Sequence, residues 1–114
     1  MSLSREEIFG LDDKELELVE VPEWKGKVFI RSLTAREKSS FEKRMLGQKA
    51  DYGLIMAEYV AAITVDETGS NLFTKKDAEE LLKKRSSALE RIFEAGQKLN
   101  TLDPADIEEL AKNS

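Results

Sequence analysis

The 114-residue chain has no cysteine and no histidine. Without cysteine there is no disulfide frame, no thiolate metal site and no cysteine nucleophile. Without histidine the usual neutral-pH general base and the commonest metal ligand are missing. A Ser-His-Asp triad and an ordinary zinc site are therefore impossible within this chain. Proline is scarce, with two residues, and glycine little less so, with six. No linker, low-complexity tract or internal repeat interrupts the sequence, so residues 1–114 read as one domain. No stretch has the charged-then-apolar layout of a signal peptide, and the default compartment is the cytosol. Aromatic residues make up 7% and include a single tryptophan, Trp24. That is enough for one modest core.

Charge, by contrast, is abundant. Charged residues make up 36% of the chain and the net charge is −5. A sequence-independent nucleic-acid binder is normally basic, so the sign argues against that role. The carboxylates fall in adjacent pairs, Glu6-Glu7, Asp12-Asp13, Glu79-Glu80 and Glu108-Glu109. Neighbours in a helix point about 100° apart and do not converge on one site. They read as solvated faces. The run Asp66 to Ser70 has a faint likeness to a calcium loop, but the ligand alternation and the terminal glutamate are missing. No phosphate loop or paired-glycine dinucleotide motif is present. The expectation is a protein with no cofactor, no metal and no catalytic residues.

One stretch stands out for its lack of charge. Tyr52 to Val65, reading YGLIMAEYVAAITV, carries only Glu58. Tyr52, Ile55, Met56, Tyr59, Val60 and Ile63 share one helical face, and alanines, Leu54 and Val65 fill much of the rest. A helix apolar nearly all round is a buried one. It is too short to span a membrane, which takes about 20 apolar residues. A central core helix over 51–65 is predicted.

The other elements follow from caps and alternation. Ser4 and Glu7 form a capping box for a short first helix, with Leu3 stapled to Ile8 and Gly10 as a left-handed stop. Leu16–Val21 and Lys27–Ser32 read as a β-hairpin over about 16–32, turned at Glu23-Trp24-Lys25-Gly26 with Gly26 at positive φ. The apolar period slips at Leu18-Val19, which fits either a bulge or a strand apolar on both faces. Thr34 and Glu37 cap a helix over 34–46 whose inner face holds Phe41 and Met45. Further helices are predicted at 75–84, 88–99 and 103–112. One long helix through 84–88 is the alternative, but Ser86-Ser87 with Glu90 reads as a fresh start. The fold class is α+β, mostly helical: an N-terminal β-hairpin packed on four to five helices. A lone hairpin must bury a face. Trp24, Val28 and Ile30 are expected to pack on Phe41 and Met45.

Lysines and arginines cluster at Lys75, Lys76, Lys83, Lys84, Arg85, Arg91 and Lys98. Two short helices with a tight break could form a helix-turn-helix, so a small DNA-binding regulator using 75–84 and 88–99 is the alternative function. Acidic residues interleave with the basic ones, which favours a plain soluble surface. Trp24 is either folded back as core or an exposed binding anchor.

Val19-Glu20-Val21-Pro22-Glu23-Trp24, Gly26, and Val28 to Thr34 with Glu37 and Phe41 resemble the opening of small tail assembly chaperones of long-tailed phages and prophages. The runs Asp66 to Thr74 and Leu89 to Asn100 are similar to that family too. The matching positions are a turn, caps and core residues, not chemical groups. The resemblance implies an interaction protein that coats the tape-measure protein, shields its long hydrophobic helices and recruits tail-tube subunits. It implies a place in the cytoplasm of the host bacterium and none in the mature virion. The family brings no catalytic residues. Partner contacts are therefore expected, on physical grounds, at Trp24, Phe29, Tyr52 and Phe73, where aromatic surface exceeds what a small core can hide. Self-association is expected through the same surface, with no nucleic acid and no membrane involved. In this family a ribosomal frameshift near the stop codon yields a longer product. Ala111-Lys112-Asn113 can be encoded as a run on which paired tRNAs slip back one base, so this chain is expected to be the short form of a two-product gene. Its C-terminal helix would then be only lightly docked.

Overall fold

The computed structural model describes residues 2–47 and 49–100. The predicted helix at 103–112 lies outside the described residues. Within them the fold is α+β and mostly helical. Helix α1 spans Arg5–Phe9, strand β1 Leu16–Val21 and strand β2 Gly26–Arg31. Helix α2 spans Ala35–Met45, α3 Tyr52–Ile63, and strand β3 Thr64–Val65. A single helical turn, α4, covers Ala78–Leu81, and α5 covers Ser86–Asn100.

The hairpin forms as its alternation demands. β1 and β2 pair antiparallel in unbroken register from Leu16↔Arg31 to Val21↔Gly26. There is no bulge. The slip in apolar period means a strand apolar on both faces: Val19 and Val21 are buried, while Leu16 and Leu18 are exposed on the other side. The turn differs from expectation in one atomic detail. Pro22–Trp24 form a 3₁₀ turn, and the left-handed residue is Lys25 at φ 54°, not Gly26, which opens β2. Gly10 likewise ends α1 in a right-handed conformation, at φ −85°. Here the carbonyls of Glu6 and Ile8 accept its N–H, so no left-handed stop is required.

The central helix is the core, as its composition requires. Ile55, Ala57, Tyr59, Val60, Ala61 and Ile63 are buried in α3. Asp51 caps it by accepting the Leu54 N–H at 3.1 Å. The predicted end at 65 is corrected: the helix stops at Ile63, and Thr64–Val65 turn extended to pair with Phe29 and Ile30. β-branched residues favour that conformation. The buried Thr64 hydroxyl donates to the Val60 carbonyl at 2.6 Å, which satisfies a helix-end acceptor. The sheet order is β1-β2-β3.

The predicted helix at 75–84 is corrected too. Its first residues, Lys75–Asp77, form a 3₁₀ turn, and α4 follows for one turn only. The chain breaks before Ser86, so α4 and α5 are not continuous. Helix α5 starts earlier than the predicted 88, and Ser87 lies inside its first turn rather than capping it.

Helix α5, not α2, covers the hairpin. This corrects the expected packing of Trp24, Val28 and Ile30 on Phe41 and Met45. The reason is apolar surface. Helix α5 buries Ala88, Leu89, Ile92 and Gly96, whereas α2 buries no residue fully. Ile30, Ile63, Leu89 and Ile92 are the largest fully buried side chains, each contributing about 1.5–3 kcal/mol. Gly96 is required at the α3–α5 crossing. A Cβ there would lie 2.5 Å from Ile63 Cδ1 and 2.8 Å from the Tyr59 ring. A bidentate ion pair pins the hairpin turn to α5, with Arg91 Nε and Nη2 donating to Glu23 at 3.0 and 3.1 Å.

Candidate functional site: the grooves flanking helix α2

Helix α2 is the least committed of the longer elements. Thr34 caps it, and Glu37 closes the box by accepting the Thr34 N–H at 2.9 Å. Glu37 also accepts from the two terminal guanidinium nitrogens of Arg31, Nη1 and Nη2, at 2.9 and 2.8 Å. The Arg31 hydrogen bonds, foremost, hold the Glu37 carboxyl down at about 2. At the other end Arg44 donates to Glu58 at 2.8 Å. The lone charge of the apolar α3 stretch is thus the anchor for α2. Between the ion pairs the Phe41 ring meets Tyr59 edge-on, with centroids 5.1 Å apart. Tyr59 in turn meets Phe93 edge-on, with centroids 5.0 Å apart. Burial raises the Tyr59 pKa, so its hydroxyl stays protonated. It accepts a hydrogen bond from Asn100 at 3.4 Å.

A strap held this way leaves a groove on each side. The first, of about 640 Å³, runs between α2, the end of α3 and residues 71–75. Phe41, Ala61, Ala62, Leu72 and Phe73 line it, with Arg36, Arg44 and Lys75 also on its walls. The second, of about 380 Å³, lies between α2, α3 and α5. Its walls are Phe41, Met45, Leu46, Ile55, Tyr59 and Phe93, with Lys38 and Glu42. Phe41 belongs to both. Each groove has an exposed apolar residue in its lining, Leu72 in the first at 52% and Leu46 in the second at 86%.

What these grooves offer is apolar contact surface. Both carboxylates of the first groove are in ion pairs. Among the described residues no group of three or more acidic residues is arranged to hold a metal ion. The Asp66 carboxylate, which the calcium-loop likeness brought up, already accepts from Thr68 and Ser70 of its own turn. Apolar walls with basic groups among them suit the side chains of an amphipathic helix.

The four residues singled out from sequence do not converge. Phe73 is half-buried and lines the first groove. Phe29 is half-buried on the outer face of β2, opposite Leu18 and Val65. Tyr52 is 59% exposed at the first turn of α3, and Trp24 packs against the core from the hairpin turn. None of these three lines either groove. Sequence reasoning placed Phe41 and Met45 inside and so missed them as groove walls. It also missed Leu46 and Leu72. Their signal was a large apolar residue beside a helix stop or a polar turn, where burial is not assured.

No family model and no curated protein matches this sequence. Among solved structures, the tail assembly chaperone of bacteriophage HK97 has a similar fold. The two superpose with a TM-score of 0.59 and 15% sequence identity, over 75% of this chain and 85% of that one.

Proposed function

We propose that this chain is a phage tail assembly chaperone, coating the tape-measure protein and recruiting tail-tube subunits. The observation that carries the reading is the fold shared with the HK97 tail assembly chaperone over most of both chains. The α2 grooves supply the physics. A coating protein must hold apolar helices reversibly, and these grooves offer apolar walls to such a helix without a deep cavity to trap it. The net charge of −5 keeps a coated complex soluble. The role is non-enzymatic and belongs to the cytoplasm of the host bacterium, before the virion is complete. The DNA-binding alternative is the weaker reading, because α4 is a single turn and Arg91 is held by Glu23.

Co-expression with tape-measure fragments tests the proposal. The wild-type chain should keep them soluble and co-purify with them. Leu46→Glu and Leu72→Glu change exposed side chains, so both variants should fold and lose the fragment. A wild-type chain that leaves the fragments insoluble, or charged variants that work as well as wild type, would sink this reading. Recruitment of tail-tube subunits is read separately, by whether the coated complex captures the tube protein.

A further inference from the structure

Among the described residues the β1 edge of the sheet has a character of its own. Strand β3 is backed by a bridge between Val65 and Asn71, whereas β1 ends the sheet on the other side. Ser32 N–H donates to the Glu15 carbonyl at 2.8 Å, so Glu15 and Ser32 are a bonded pair. By the alternation of an antiparallel ladder, Glu17, Val19 and Val21 also bond inward to β2. Leu16, Leu18 and Glu20 therefore turn their N–H and C=O groups outward. Among the described residues no backbone group bonds to them from that side.

Natural edge strands are usually guarded by a lysine, a proline, a bulge or a covering element. β1 has none of the first three within Leu16–Val21. Its outward side chains Leu16 and Leu18 are 37% and 48% exposed, and Phe29 lies beside Leu18 on the same face. The charges within the strand, Glu17 and Glu20, are both negative, and Glu20 stays 75% exposed beside Lys27 of β2 at 3.7 Å. Two copies joined edge to edge would line one seam with like charges from both chains, which opposes self-pairing. A basic strand meets the opposite condition.

We infer that the β1 edge binds an extended segment of another protein as a fourth strand, one with apolar residues facing Leu16 and Leu18 and Lys or Arg facing Glu17 and Glu20. Backbone hydrogen bonds supply the affinity and the side-chain pairs the choice of partner. The inference is independent of the chaperone reading, because the α2 grooves take no part in it.

A short fluorescent peptide of that pattern, its lysines opposite Glu17 and Glu20, is the probe. Anisotropy should show saturable binding. The same peptide with glutamates in place of the lysines should bind roughly tenfold more weakly, as two reversed cross-strand charge pairs imply. A peptide N-methylated at its edge-bonding positions should not bind at all. The double variant Glu17→Lys with Glu20→Lys should reverse the charge preference, and Leu46→Glu should leave it untouched. Equal binding of the N-methylated peptide, an unreversed preference, or no binding of the lysine peptide to wild type would overturn the inference.

Discussion

Arg44 and Glu58 meet at 2.8 Å across the α2–α3 interface, and the Glu58 side chain keeps only 11% of its surface in solvent. The pair is lopsided, since Arg44 remains 36% accessible. Removing Arg44 strands a mostly buried carboxylate, whereas removing both leaves no orphan. Arg44→Ala should therefore cost about 1–3 kcal/mol. Arg44→Met with Glu58→Leu should cost less than that single change. Chemical denaturation of the variants checks this, and hydrogen exchange should show α2 opening first in Arg44→Ala. A double variant less stable than Arg44→Ala would refute the account.

Gly96 should resist replacement. Alanine in a helix interior ordinarily stabilises by up to ~1 kcal/mol over glycine. Here the added methyl meets Ile63 and the Tyr59 ring, which is held between Phe41 and Phe93. Overpacking costs about 1–3 kcal/mol and should win. Gly96→Ala is expected to lower the melting temperature, and a rise would show that the crossing has slack.

The hairpin turn should behave as part of the core. Trp24 is half-buried and packs against it. Trp24→Ala should cost about 2–4 kcal/mol, somewhat under the loss for a fully buried ring. Melting curves that overlay would assign Trp24 to binding instead.

Acid should loosen the hairpin turn and the start of α2 together. The Arg91 hydrogen bonds hold Glu23 at about 2, and the Arg31 hydrogen bonds do the same for Glu37, against an ordinary 4.5. A carboxyl whose pKa is lower folded than unfolded stabilises the fold above the unfolded value. It loses that contribution as pH falls through the folded value. Stability should therefore drop between pH 4.5 and 2. Glu23→Gln and Glu37→Gln should each flatten that slope in melting temperatures recorded against pH. An unchanged slope in both variants would show that other carboxyls govern acid unfolding.

Local rules were enough for much of this architecture. The boxes at Ser4 and Thr34 formed as their spacing required, because a cap joins residues three apart and depends on nothing distant. The hairpin and the buried α3 followed from apolar periodicity, which the backbone geometry reads directly. The break before Ser86 was visible in two adjacent serines, although the cap itself was not placed by them.

What only the tertiary structure decided were the partnerships. Nothing near Glu58 in sequence names Arg44, and nothing near Leu33 names Asn100, whose side-chain Oδ1 accepts the Leu33 N–H at 2.6 Å across 67 positions. Thr64 and Val65 continued a helical pattern and became strand because β2 lay beside them. The hairpin took α5 as its cover instead of the nearer α2, because α5 carries the deeper apolar stripe. That choice left Phe41 and Met45 half-buried beside grooves. Periodicity tells which face of a helix is apolar, but which neighbour covers it, and how completely, is settled by competition among all the faces in the fold.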